Sequence, residues 1–87
     1  MLMPEKTVNP SVTLPGKVEK IIKPLDRTDT EKAQINIEEG ADPLYKEIRI
    51  ENTLTSAEGE AVSLKKGAKV IVTVDADPSA TIPKRET

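Results

Sequence analysis

Between Ala68 and Ala76 every second residue is apolar, with Val70, Val72 and Val74 between them and Lys69, Thr73 and Asp75 on the opposite parity. A period of two marks a half-buried strand, because successive side chains of an extended backbone point to opposite faces. The alternation recurs in Ala33, Ile35 and Ile37, in Ile48, Ile50 and Leu54, and more briefly in Val62 and Leu64. Valine and isoleucine are stiff at χ1 and pack well on a pleated surface, so these runs favour strands over helices. One residue breaks the pattern: Ile71 falls on the parity of Lys69 and Thr73.

The segments between these runs read as hairpin connections. Thr55 to Glu60 is a short polar loop with Gly59 available for a positive φ, and Lys65-Lys66-Gly67 suits a tight turn. Asp42-Pro43 is placed to cap one helical turn through Leu44 and Tyr45. Val18, Ile21 and Ile22 have helical spacing, but Pro15, Gly16 and Pro24 leave room for barely two turns. A short strand with a bulge that turns Ile21 and Ile22 inward fits better.

Residues 1–13 carry Pro4 and Pro10 among polar residues and read as an extended or disordered arm; 78–87 reads as a disordered tail. The start, Met1 to Lys6, lacks an apolar core of the signal-peptide kind, so no leader is expected. Residues 14–77 then form a single β-domain. The fold expected is all-β: a five-stranded antiparallel small barrel, OB-like or SH3-like without a long helix, or a compact sandwich, with flexible termini. The turn of Leu64 to Val70 and the opening Gly16-Lys17-Val18 are common to many small barrels and identify no family.

Composition restricts the interior and the chemistry. The chain has no Phe and no Trp, and Tyr45 is its single aromatic residue, so the core must be built from Val, Ile, Leu and Ala. With no His and no Cys it lacks the commonest general base, thiol nucleophile and zinc ligands. No serine lies in a nucleophile-elbow context, and Ser63 with Lys65 reads as two exposed polar residues of one strand face. Four glycines in no phosphate-binding array leave no cradle for a nucleotide, so neither catalysis nor a cofactor is expected. Asp75 and Asp77 stop short of the oxygen count that calcium requires, so no metal is expected. No run approaches the length of a membrane span, and the cysteine-free composition fits a reducing cytoplasm.

Binding is what remains. Val70-Ile71-Val72-Thr73-Val74 is apolar, β-prone and uncharged, with lysines before it and aspartates after it as charge gatekeepers. Ile71 is therefore a candidate contact for another chain. Tyr45, Lys46 and Arg49 are the other candidates, because an OB-like barrel binds single-stranded nucleic acid by stacking bases on aromatics in a positive groove. Lys17, Lys20 and Lys23 add charge, but Glu19, Glu47 and Glu51 dilute it and the net charge is -2, so nucleic acid is the weaker expectation. The leading expectation is a non-catalytic protein-interaction module whose partner is another protein chain or itself. An arm carrying Val8 and Val12 would suit strand addition to an open edge, in its own molecule or a neighbour's.

Overall fold

The computed structural model describes residues 8–84. It contains β1 (Ser11–Ile22), β2 (Lys32–Ile37), β3 (Glu47–Glu51), β4 (Leu54–Thr55), β5 (Ala61–Val62) and β6 (Lys69–Asp75), then a 3-10 turn over Pro78–Ala80. β1, β2, β3 and β6 make one curled antiparallel sheet in the order β3-β2-β1-β6, a half-barrel, while β4 and β5 pair as a separate ribbon. The all-β expectation holds, and no helix among the described residues is long and apolar enough to cross a membrane. Six strands appear where the alternation suggested five, because the run from Ile48 to Leu54 divides at Asn52.

β1 begins at Ser11, inside the segment read as an extended or disordered arm, and Ser11, Val12 and Thr13 pair with Asp75, Val74 and Thr73 of the same molecule. The first seven residues of that arm, and residues 85–87 of the tail, lie outside the described residues. Proline is poorly tolerated inside a sheet because it cannot donate to the ladder. Pro15 is accommodated because β2 ends at Ile37, opposite Gly16, so its missing N–H falls past the last rung. The Pro15 carbonyl still accepts from the Glu38 N–H at 2.8 Å. Further along, the register slips between Val18 and Lys20, which makes Glu19 the extra residue of a bulge. The expected bulge is thus present and puts Val18 and Ile21 on one face opposite Ile35 and Ala33. Ile22, expected to turn inward with Ile21, instead lies across from Lys32 on the polar face, because one extra residue shifts the alternation once.

The turns follow their residues. Asp42 accepts from the Leu44 N–H through Oδ1 (2.8 Å) and from the Tyr45 N–H through its carbonyl (2.9 Å), closing the single turn expected there. Gly59 and Gly67 both adopt φ of 86°, a left-handed conformation that costs glycine little.

β1 pairs with β2 over Gly16–Ile22 and with β6 over Ser11–Lys17, so the two flanking strands overlap only around Gly16 and Lys17. The core gathers beside that overlap. Val18, Ala33 and Ile35 are buried, and Ile21, Ile48, Leu64, Ala68, Val70 and Val72 pack around them. Gly16 sits where three strands meet: a Cβ there would lie 2.9 Å from Ile35 Cγ2 and 3.3 Å from both Val70 Cγ2 and the Asn36 carbonyl. Glycine is needed for this close approach. Gly16→Ala should lower stability by about 1–3 kcal/mol through overpacking, read from urea denaturation, and a change under about 0.5 kcal/mol would show that the strands can give way.

Candidate functional site

The sheet has an apolar face, formed by the even-numbered residues of β6 and their partners, and a polar face bearing most of the charge. On the polar face the registers set Lys69, Lys17, Asn36 and Glu47 in one row across the strands. A second row holds Lys20, Gln34 and Arg49, and a third pairs Lys32 with Glu51. Gln34 is buried in the middle of its row and accepts from Arg49 Nε at 3.2 Å. Long charged side chains lie over the centre of the sheet in this way while keeping their heads in water.

The four residues singled out from the sequence do not share one place. Arg49 is on β3, the outer strand at one edge, and Ile71 is on β6, the outer strand at the other. Two strands lie between them, a separation of about 14 Å at the usual strand spacing. Tyr45 and Lys46 belong to the loop that joins β2 to β3, and Tyr45 is 80% exposed. With Pro43, Leu44 and Glu47 they line a shallow hollow. Lys46 also borders a second hollow, with Lys17, Glu19, Asn36 and Glu38, which has the Asn36 Oδ1 as an unpartnered acceptor. Tyr45 does not line that second hollow, and carboxylates border both. The basic residues are therefore spread among glutamates and form no positive groove around the aromatic ring.

β6 presents a different kind of surface. The Val18 N–H donates to the Ala68 carbonyl (2.8 Å) and the Ala76 N–H to the Pro10 carbonyl (2.9 Å). In an antiparallel ladder hydrogen-bonded pairs alternate with non-bonded ones. These two bonds therefore assign Val70, Val72 and Val74 to the bonded pairs with β1. The N–H and C=O groups of Lys69, Ile71, Thr73 and Asp75 point the other way, to an edge that no other strand covers among the described residues. Ile71 lies across from Pro15 on the polar face and is 68% exposed. On the apolar face the Val12–Val74 pair extends past the core, at 50% and 55% exposure.

Asn52 is, with Gln34, one of two buried polar residues that the alternation does not announce. It is only 5% exposed and stands at the parity of Ile48, Ile50 and Leu54, on the apolar side. Its Oδ1 accepts from the Leu64 N–H at 2.7 Å, and its Nδ2 donates to the Leu64 carbonyl (3.0 Å) and to Glu31 Oε2 (2.9 Å). The side chain thus ties the segment after the β4–β5 ribbon onto the sheet. The available signal was a lone amide at an apolar parity. The Asn52 bond, and then the Lys23 ammonium 3.3 Å from Oε1, hold the Glu31 carboxyl below its ordinary pKa. Asp26, Asp29 and Asp77 are lowered too, by hydrogen bonds first from the Thr28 hydroxyl, the Lys32 ammonium and the Ser79 N–H respectively. All four belong to loops and turns, and none lies on the β6 edge. Among the described residues no three acidic side chains come together as metal ligands. No protein-family model matches this chain, and no curated protein or solved structure matches it either.

Asn52→Ala would strand the Leu64 amide and carbonyl in a nearly dry site. The expected cost is about 1–3 kcal/mol, seen as a lower urea midpoint at unchanged slope; an unmoved midpoint would show the tie to be dispensable. Glu31 supplies a pH signature. Its folded pKa is depressed, so its contribution is complete above the ordinary glutamate value of about 4.3 and disappears as the pH falls through the folded value. Thermal melts of Glu31→Gln should therefore lose less stability on acidification than wild type. An acid limb as steep as the wild-type one would assign the sensitivity to Asp26, Asp29 and Asp77.

Proposed function

We propose that this chain is a non-catalytic protein-interaction module, which takes another protein chain, including a second copy of itself, against the open β6 side of its half-barrel. The observation that carries the proposal is the unpaired outer edge of β6, flanked by the exposed Val12–Val74 pair and by Ile71. Apolar residues gathered beside a free strand edge suit β-strand addition, in which main-chain hydrogen bonds supply affinity and alternate side chains supply fit. A partner strand docked there would extend the curled sheet beyond β6. The absence of His and Cys from the whole sequence supports a binding role over a catalytic one. Binding of nucleic acid draws less support, since Lys17, Lys20 and Arg49 lie on the strands away from Tyr45, and Glu47, Glu19 and Glu38 border the hollows that Lys46 lines.

Light scattering on a size-exclusion column tests this reading. The mass should rise above 9.5 kDa as concentration increases from about 10 μM to about 1 mM, the range of small transient interfaces. Val74→Thr should reduce that rise while changing the stability of the dilute protein by no more than about 0.5 kcal/mol. A core-sized loss of about 1–3 kcal/mol with the mass profile unchanged would make Val74 part of the fold and overturn its role in binding. A monomer at every concentration would remove self-association and leave only a foreign chain as partner.

A further inference from the structure

The outer edge of β6 is complementary to itself in one register, and we infer that two copies of this chain join there, β6 antiparallel to β6 about a two-fold axis centred on Val72. This rests on the self-associating form of the reading above and specifies the contact. The strand runs Lys69-Val70-Ile71-Val72-Thr73-Val74-Asp75, so Val72 is its midpoint. A two-fold axis there sets Lys69 across from Asp75 of the second copy, Ile71 across from its Thr73, and Val72 across from its Val72.

Three features fit this register, and charge is the one that selects it among the two-fold registers. The first is the backbone. Lys69, Ile71, Thr73 and Asp75 carry the outward N–H and C=O groups, and in this arrangement they are paired only with one another. Each outward group therefore meets a complementary group of the second copy. The second is charge. In the single chain Lys69 lies directly across from Lys17, a like-charge pair, and the two ion pairs among the described residues are elsewhere. Across the two-fold axis Lys69 gains a carboxylate neighbour, and does so twice per dimer. Opposite charges directly across a strand pair stabilise it and like charges destabilise it. The third is the apolar faces. They come out on the same side, so Val74, exposed in the single chain, lies beside Val70 of the second copy. On the other side the two Ile71 side chains become diagonal neighbours, close enough to share cover.

The β3 edge behaves differently. Its strand reads Glu47-Ile48-Arg49-Ile50-Glu51. Full antiparallel overlap with a second copy would set Glu47 against Glu51 and Arg49 against Arg49. Of the two outer strands of the four-stranded sheet, only β6 attracts its own copy at full overlap. Two-fold pairing through one edge is closed, because the same patch serves both copies and none of that edge is left over.

The test uses the full chain and charge reversal at two exposed residues. Lys69→Asp and Asp75→Lys should each weaken dimerisation by about tenfold or more, since each turns two attractive pairs into repulsive ones. Mixing the two variants should restore the dimer as a one-to-one heterodimer in native mass spectrometry, because opposite charges again face each other. Circular dichroism checks that each variant is folded. A second measurement uses the cysteine-free background. Val72→Cys should cross-link to itself on mild oxidation, as the facing Cα atoms of a non-bonded pair lie about 4.5 Å apart. Val70→Cys should not, its counterpart being about 13 Å away along the strand. Full dimerisation of both charge variants, with no preference on mixing, would overturn the β6 contact while leaving association through another surface. An open-ended ladder of oligomers would overturn it as well. A wild-type chain that stays monomeric would overturn both the contact and self-association.

Discussion

The fold depends on β1 serving two partners in two different stretches. Its second half pairs with β2 and its first half with β6, and both ladders meet only near Gly16 and Lys17. A sheet staggered in this way has one thick place and thin ends. At the thick place Gly16 lets Ile35 and Val70 approach the backbone, and the buried residues Val18, Ala33 and Ile35 collect beside it. At the ends a strand has a neighbour on one side only. The exposure of Val12 and Val74 is therefore a consequence of one register choice made along β1, while the open edge of β6 follows from its outer place in the sheet.

So small an aliphatic core stabilises weakly, because no aromatic side chain adds its large buried area. Directional bonds do part of the work instead. Asn52 satisfies both main-chain groups of Leu64, and that leucine is one of the residues packed on the core. Buried amides satisfied on this scale specify one arrangement more than they deepen its energy, since a misplaced Leu64 would leave several polar groups unpaired at once. Glu31 extends the tie to the other end of β2 and to Lys23. The hydrogen-bonded network thus locates the segment that the short β4–β5 ribbon is too small to hold.

Local pattern reaches what is decided locally, and no further. The alternation around Ala33–Ile37 and Ala68–Ala76 identifies β2 and β6, and the glycines and Asp42 locate their turns, because burial period and turn chemistry act over a few residues. Pro10, Pro15 and Gly16 mislead for the same reason. They are strand breakers in isolation, yet here Pro15 stands just beyond the end of β2 and Gly16 at a crowded crossing, and only the tertiary pairing reveals that. The off-parity placement of Ile71 is legible, since parity is local. Its separation from Arg49 and Tyr45 is not, because strand order decides it and periodicity carries no strand order. Closure of a barrel is likewise a matter of long-range pairing, and the break at Asn52 diverts β4 and β5 into their own ribbon.

The ends of β6 bear on a hazard as well as on binding. An exposed Val-Ile-Val-Thr-Val strand is the kind of segment that stacks in register into cross-β fibrils. Any charge at its ends would hinder this, so simple protection does not explain why one end is positive and the other negative. The opposite signs distinguish two modes of pairing. In a parallel, in-register stack every Lys69 would lie beside Lys69 and every Asp75 beside Asp75, which repeats repulsion along the whole fibril. In antiparallel pairing the same residues attract. Two lysines, or two aspartates, would oppose both modes equally; one of each opposes parallel stacking and favours antiparallel pairing. The opposite end charges therefore suit the antiparallel contact proposed for β6, and β1, which already occupies the other edge of that strand, keeps such a pairing from continuing.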